Sequence, residues 1–181
     1  AVLVGMGLSI SGLLMQTLFR NPLAGPYVLG LSSGSSLGVA LIILGAAFLP
    51  SLVSEILLSS YGIIVASCLG SFLVLLLVLI VSSRLRDTAT ILIVGLMFSS
   101  FTSAIVSVLT YFSSAEQLQK FTFWSMGNLG NLSWQNIIIL AIVITIGLVL
   151  SLISIKSLDA LLLGENYAKS MGLNIKKSRY I

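Results

Sequence analysis

Residues 16–38 read QTLFRNPLAGPYVLGLSSGSSLG and join two apolar segments through a short turn. Arg20 carries the one charge of this stretch and follows directly after the first apolar segment. Asn21-Pro22 and Gly25-Pro26 predict the turn, because proline lacks a backbone N–H and biases the residue before it away from the helical conformation. The stretch therefore predicts two helices connected by a rigid turn.

The second apolar segment carries glycine at every fourth position. On a helix, residues four apart lie on the same face, and glycine lets a neighbouring backbone approach closely. The pattern predicts a membrane hairpin whose second helix packs tightly through one bare face. The glycines of this face are Gly30, Gly34 and Gly38.

The composition is that of a membrane protein. Of the 181 residues, 57% are hydrophobic and 8% are charged, whereas about a quarter of the residues in a soluble domain are charged. The chain has no histidine and one cysteine, Cys68, which we interpret as a small buried apolar residue. These counts exclude a disulfide within the chain and predict no metal site.

The charged residues divide the chain into five apolar segments, each near the length of about 20 residues that a helix needs to cross a bilayer. We therefore predict a transmembrane region over residues 1–156 and a cytoplasmic segment over residues 157–181. The predicted spans are residues 1–19, 28–49, 61–83, 88–112 and 134–155.

The basic residues predict the orientation of these spans. If Arg20 is cytoplasmic and the spans alternate, eight of the nine Lys and Arg residues lie in the cytoplasm and only Lys120 lies outside. This bias follows the positive-inside rule and places the basic residues at membrane edges, so we predict no nucleic-acid partner. The cytoplasmic set is Arg20, Arg84, Arg86, Lys156, Lys169, Lys176, Lys177 and Arg179.

No Asp, Glu, Lys, Arg or His lies inside a predicted span. Ion-coupled carriers commonly keep an ionisable group within the membrane, because that group couples transport to the ion. A secondary carrier or channel is one alternative reading of the chain, and the uncharged spans argue against it. Any catalytic role is also disfavoured, since no phosphate-binding loop and no catalytic residues are recognisable.

Small and weakly polar residues recur at helical spacing in several spans. Such faces are typical of helix–helix packing, but they would also suit the lining of a neutral pathway, and the spacing does not separate these alternatives. The faces comprise Gly5, Ser9, Gly12 and Gln16 in the first span, Gly62, Ala66 and Gly70 in the third, and Gly95, Ser99, Ser103 and Ser107 in the fourth.

The C-terminal segment differs in character from the spans. Residues 157–172 predict two short helices broken at Gly164, with Ser157 capping the first and Gly172 ending the second. Their apolar faces suit either a helix resting on the membrane surface or a docking surface for a cytoplasmic partner.

Several motifs, in order and suitably spaced along all 181 residues, resemble those of the FecCD permeases. That family comprises membrane subunits of ABC importers for iron–siderophores, haem and vitamin B12. The resemblance implies an all-α, polytopic membrane protein: five transmembrane helices of a ten-helix type II importer permease, followed by short cytoplasmic coupling helices. The motifs are Gly12-Leu-Leu-Met-Gln16, Arg20-Asn-Pro-Leu-Ala24, Leu29-Gly-Leu-Ser-Ser-Gly34, Trp124-Ser-Met-Gly127 and Leu163-Gly-Glu-Asn-Tyr-Ala168-Lys-Ser-Met-Gly172.

The resemblance also implies partners. Two permeases, identical or different, would form the pathway within membrane lipid, two cytoplasmic ATP-binding subunits would hydrolyse ATP, and a periplasmic or lipoprotein binding protein would deliver the ligand. The chain itself would be no enzyme and would hold no cofactor. Docking of the C-terminal segment onto the ATP-binding subunit then becomes the favoured interpretation.

Functional positions are implied residue by residue. The resemblance places a cytoplasmic gate at Asn21, Leu23, Thr88 and Ala89, with Ala89 replacing a short polar residue common in the family. It places coupling to the ATP-binding subunit at Leu161, Gly164, Glu165, Ala168 and Gly172. The packing or pathway positions are Gly30, Gly34, Gly38, Gly95, Ser99 and Ser103.

The ligand expected by default is an iron(III)–siderophore, with haem, cobalamin and molybdate as alternatives within the family. Because the chain starts at Ala1 without a methionine and stops in a basic stretch, we expect it to be part of a longer protein. A further reading is that the chain on its own is only a folding unit without transport activity.

Overall fold

The computed structural model describes residues 1–45, 50–82, 88–130, 132–162 and 170, and every regular element in these ranges is helical. The chain is therefore all-α, as predicted. A short 3-10 helix, Pro26–Leu29, follows the first helix. The α-helices are α1 (Val2–Phe19), α2 (Leu31–Ile43), α3 (Ser51–Leu57), α4 (Ser60–Ser82), α5 (Thr88–Tyr111), α6 (Ala115–Met126) and α7 (Trp134–Leu162).

Four of these helices, α1, α4, α5 and α7, are long and apolar enough to cross a membrane. The α-helix in the second predicted span is shorter, because α2 has 13 residues. Gly30 has φ 80°, in the left-handed region, and it therefore separates the 3-10 helix from α2. The prediction that Gly30 shares a helix face with Gly34 and Gly38 is wrong, since Gly30 precedes the helix.

The chain divides into two compact units. The first unit comprises Ala1–Pro26 and Leu129–Ile181, and in it α1 packs against α7. A Cβ at Gly7 would lie 3.6 Å from Cγ1 of Ile144, which is ordinary van der Waals contact. A small residue on α1 thus meets a branched apolar residue on α7.

The second unit, Tyr27–Asn128, is organised around α2. This helix packs against α4, α5 and α6, and α3 packs against α4. The core of the unit consists of the buried residues Val39, Ala40, Ile43 and Leu44, against which Leu58, Ile63, Val106, Leu109, Phe121 and Trp124 pack. Helix α2, which is shorter than the candidate membrane-spanning helices α4 and α5, thus lies at the centre of the unit.

Helix α7 continues without a break through Lys156 and Ser157 to Leu162. The prediction that Ser157 caps a separate short helix is therefore wrong. Residues 156–162 contain neither glycine nor proline, and Lys, Ala and Leu are good helix formers, so nothing local ends the helix where the first charge appears. Polarity changes at Lys156, but the backbone conformation does not.

Helix α6 lies between the fourth and fifth predicted spans, where no helix is predicted. Ser114 and Gln117 form a capping box: the Gln117 N–H donates to Ser114 Oγ, and the Ser114 N–H donates to Gln117 Oε1 at 3.1 Å. The sequence contains the signal, a serine followed three residues later by glutamine. A search for capping boxes outside the apolar spans would find this helix.

Candidate functional site

The turn after α1 begins with an arginine in the left-handed conformation. Arg20 has φ 48° and ψ 36°, and its N–H donates to the carbonyl oxygens of Gln16 and Thr17. The N–H of Asn21 donates to the same Gln16 oxygen at 3.2 Å. This pairing is a Schellman motif, which satisfies carbonyl groups that the helix end would otherwise leave without partners.

The side chain of Asn21 then shapes the turn. Its Oδ1 accepts a hydrogen bond from the N–H of Leu23 at 2.9 Å, and its carbonyl oxygen accepts one from the N–H of Ala24 at 3.0 Å. Asparagine favours turns because its side chain bonds to backbone two residues on. The side chain of Leu23 is 81% exposed, whereas Ala24 is buried. Asn21 thus holds the predicted gate position Leu23 at the tip of a defined turn.

The other predicted gate positions belong to the second unit. Thr88 is the first residue of α5 and Ala89 is the second. Among the predicted coupling positions, Leu161 lies in the last turn of α7. Gly164, Glu165, Ala168 and Gly172 lie outside the described residues.

At the predicted packing glycines, the backbone of α2 lies close to the backbone of α4. A Cβ on Gly34 would lie 2.6 Å from the carbonyl oxygen of Gly70, and a Cβ on Gly38 would overlap the carbonyl oxygen of Ala66. Across the same contact, Ser71 Oγ donates to the carbonyl oxygen of Leu31 at 3.0 Å. No larger residue fits at the two glycines without moving a backbone.

The predicted positions on α5 divide into packed and exposed ones. A Cβ on Gly95 would lie 2.5 Å from the carbonyl oxygen of Val28, and a Cβ on Gly30 would lie 3.1 Å from Ser99 Oγ. Ser103, in contrast, is exposed, and its carbonyl oxygen accepts from Ser107 Oγ at 3.0 Å. Gly30, Gly95 and Ser99 therefore lie in one contact, and Ser103 lies on an open part of the helix surface.

The structure corrects one prediction about the second unit and adds one buried polar residue. Cys68 is exposed on α4, so its interpretation as a buried residue is wrong. Its neighbours Val65, Leu69 and Phe72 are exposed as well. Apolar exposure of this kind is what a lipid-facing helix surface presents. Thr102 is only 3% exposed, and its Oγ1 donates to the carbonyl oxygens of Phe98 and Ser99.

Helix α6 attaches to the core through aromatic residues. The rings of Phe121 and Trp124 stack with centroids 6.1 Å apart, and both pack against the buried part of α2. On its exposed side, Lys120 Nζ lies 2.8 Å from Glu116 Oε1. The hydrogen bond and the charge of Lys120 hold the pKa of Glu116 below its ordinary value. Trp124, one of the motif residues, thus anchors α6 to the buried core around α2.

Charged and metal-binding side chains are sparse throughout. Among the residues that the structure describes, no three His, Cys, Asp or Glu side chains lie close enough together to hold a metal ion. What the described geometry offers is a set of closely packed apolar helices, one rigid turn with an exposed leucine, and one helix longer than a membrane crossing requires.

Comparison with known proteins decides the family, because the model of the FecCD transport family matches residues 1–181, the whole chain. The chain belongs to the FecCD transport family. It is accordingly a multi-pass protein of the inner membrane.

Two relatives of the chain are named for different ligands, hemin and vitamin B12. The chain is 37% identical over 180 residues to the hemin transport system permease protein HmuU of Yersinia pestis, covering 99% of this chain and 52% of that protein. It is 34% identical over 183 residues to the vitamin B12 import system permease protein BtuC of Vibrio cholerae, covering 99% of this chain and 52% of that one. The chain thus spans about half the length of these relatives.

A solved structure shares the fold. It is a chain of an ABC transporter assigned to the metal-chelate type, in an inward-facing conformation, with a TM-score of 0.74 and 29% sequence identity. The similarity covers 98% of this chain and 54% of that chain.

Proposed function

We propose that the chain forms part of the permease subunit of an ATP-driven importer that moves a metal chelate across the cytoplasmic membrane. The observation that carries the proposal is the FecCD family match over the whole chain. The hemin and vitamin B12 permeases among its relatives support it. The uncharged interior of the apolar segments also favours an importer over the alternative of an ion-coupled carrier or channel.

In this proposal ATP is hydrolysed on a separate subunit. Two permeases pair in the membrane, two ATP-binding subunits attach in the cytoplasm, and a periplasmic or lipoprotein binding protein delivers the ligand. The chain contributes spans within residues 1–156 and the coupling segment, residues 157–181. Leu161, Gly164, Glu165, Ala168 and Gly172 would contact the ATP-binding subunit by placing a short helix in a groove.

The proposal includes two gate places on the cytoplasmic side of the pathway, one at Asn21 and Leu23 and the other at Thr88 and Ala89. The geometry of the turn after α1 supports a gating role for Leu23, because an exposed apolar side chain on a hydrogen-bonded turn can obstruct a pathway without holding a ligand. An uncharged, weakly polar lining suits a bulky chelate that must enter and leave readily.

For the ligand we propose an iron(III)–siderophore. Haem and cobalamin are the alternatives that the names of the relatives favour, and molybdate is a further one. These ligands are all chelates or oxyanions that a binding protein selects before transport, so uptake measured with the complete set of subunits discriminates between them.

The test is uptake by the full-length subunit, co-reconstituted in proteoliposomes with its ATP-binding subunit and binding protein. An iron(III)–siderophore, haem and cobalamin are offered in parallel, with ATP inside the vesicles. We expect ATP-dependent accumulation of the siderophore, and accumulation of haem or cobalamin instead would identify the alternative. Accumulation driven by a proton gradient without ATP would contradict the importer.

The coupling segment is tested separately, by replacing Ala168 with glutamate. We expect weaker binding of the ATP-binding subunit and loss of uptake, since a large charged residue does not fit a helix-binding groove. Retention of both would contradict the proposed coupling role. The matched control is Ala168→Ser, which keeps a small uncharged side chain at the same position and should retain both.

A further inference from the structure

The cytoplasmic end of α7 belongs to the same helix as its membrane-crossing part. The helix has 29 residues, and at 1.5 Å per residue it is about 43 Å long, against about 30 Å for the hydrocarbon core. It therefore extends beyond the membrane, and its last turn contains Leu161. No break at Lys156 or Ser157 separates the two parts.

Helix α7 also packs directly against α1, the helix that ends at the turn Arg20–Pro26. In the proposed topology these are the first and fifth apolar helices of an alternating series, so they run in the same direction. From their contact at Gly7 and Ile144, α1 continues about 18 Å to Phe19, and α7 continues about 27 Å to Leu162. The end of α7 therefore passes the end of α1 by about 9 Å and reaches the level of the turn.

The pattern of burial supports this register. In the described part of the first unit the buried residues are Phe19, Ala24, Gly25 and Ala160. Three of them lie at the end of α1 and in its turn, and the fourth lies in the last turns of α7, with 6% of its surface exposed. In the opposite orientation Ala160 would lie about 16 Å beyond the first residue of α1.

We propose that α7 acts as one rod that carries displacement of its cytoplasmic end directly to the turn Arg20–Pro26. The inference rests on the proposed function, in which the ATP-binding subunit contacts the segment after α7 and Leu23 obstructs the pathway. It adds the route: movement passes along a continuous helix and across its packing with α1, within one compact unit. The helix needs no hinge at Lys156 for this.

The first test places a break in the rod. Ser157→Pro removes a helical hydrogen bond and kinks the helix between Ile144 and Leu161, whereas Ser157→Ala keeps the helix and is the matched control. In the full-length subunit assembled with its partners, we expect Ser157→Pro to keep ATP hydrolysis and to lose most of its uptake, because the kink uncouples the cytoplasmic end of the helix from its membrane part. Ser157→Ala, which keeps the helix, should retain far more uptake than Ser157→Pro.

The two possible failures are distinguishable. If the unsubstituted protein shows no ATP-dependent uptake, the proposed function is wrong. If the unsubstituted protein transports and Ser157→Pro transports equally well, the importer stands and the rod is wrong.

A second measurement tests whether α7 and the turn Arg20–Pro26 move together, even if Ser157→Pro fails to assemble. Spin labels are placed at Leu23→Cys and Leu162→Cys, two exposed positions, after Cys68→Ala removes the exposed native thiol. We expect the distance between the two labels to be the same with and without ATP, while the distance between the Leu23 positions of the paired permeases changes. A change within the Leu23–Leu162 pair, or no change between the paired turns, would overturn the proposal.

Discussion

Small residues recur at helical spacing both where α2 meets α4 and on α1, but the surroundings of the two sets differ. Gly34, Gly38 and Gly70 lie where an added Cβ would meet the backbone of the facing helix. Gly5 and Gly12 also lie on one face of a helix, but a Cβ there would have no described residue within 4 Å. Small residues on one helix face therefore accompany a closed contact in the first case and an open surface in the second.

The difference shows what glycine contributes in each place. Between α2 and α4 it removes a side chain so that two backbones approach, which is how transmembrane helices gain packing energy when lipid is as apolar as their side chains. At Gly5 and Gly12 it provides no such contact among the residues that the structure describes, and it lowers helix propensity relative to alanine. Replacing each glycine with alanine measures these opposite effects.

The largest effect is expected for Gly70→Ala. The new Cβ would overlap the carbonyl oxygen of Gly34, which belongs to a helix backbone and cannot move alone. Overpacking of this kind costs about 1–3 kcal/mol, and we expect the upper end of that range. Thermal unfolding of the chain in detergent micelles measures the change. An unfolding temperature equal to that of the unsubstituted chain would show that α2 and α4 do not pack as described.

A somewhat smaller loss is expected for Gly95→Ala. The added Cβ would lie 2.5 Å from the carbonyl oxygen of Val28 and 2.8 Å from Cα of Leu29. These atoms belong to a short 3-10 helix, which can yield more readily than a long α-helix, so we expect a cost of about 1–2 kcal/mol. The same unfolding assay applies, with Gly147→Ala as control, because nothing lies within 4 Å of a Cβ there.

The opposite sign is expected for Gly12→Ala. Alanine in an open helix position is favoured over glycine by up to about 1 kcal/mol, so the unfolding temperature of the chain should rise slightly or stay unchanged. A loss as large as that of Gly70→Ala would abolish the contrast between the two faces. It would mean that the α1 face is covered within this chain.

The smallest effect concerns the ion pair on α6. Because Lys120 holds the pKa of Glu116 below its ordinary value, the pair favours the folded state above the ordinary carboxyl pKa. That contribution is lost as the pH falls through the lowered pKa. Both side chains are exposed, so water screens the pair. Comparing Glu116→Gln with the unsubstituted chain, we expect unfolding temperatures that differ barely at pH 7 and coincide in acid.

Several local features followed from the sequence with a clear physical reason. Proline and asparagine predict the turn after Phe19, and Asn21 forms the expected kind of side-chain bond to the backbone. The capping box at Ser114 and Gln117 was equally local, but it lay in a polar stretch where apolar periodicity gave no reason to look for a helix. The break expected at Ser157 relied on polarity, and polarity alone does not end a helix.

Other features depended on contacts between residues distant in the chain, which residue spacing along one helix does not identify. The left-handed Gly30 lies against Gly95 and Ser99, residues some seventy positions away in the chain. Cys68 was interpreted as buried because it lies in an apolar run, but in a membrane helix apolar residues face lipid as readily as protein. For the gate, the sequence and its resemblance name Asn21 and Leu23, and the structure adds the hydrogen bonds that set the turn.

The sequence by itself determined that this protein is an all-helical membrane protein of the FecCD family, with a rigid turn after its first helix. Charge placement and turn residues act over a few neighbouring positions, and composition requires no knowledge of contacts. All three can therefore be interpreted from the sequence alone. Tertiary structure decided which small-residue faces are closed, that α2 lies at the centre of its unit, and that α7 runs unbroken to Leu162. Spacing places residues on one face of a helix, but only the folded chain determines what that face meets.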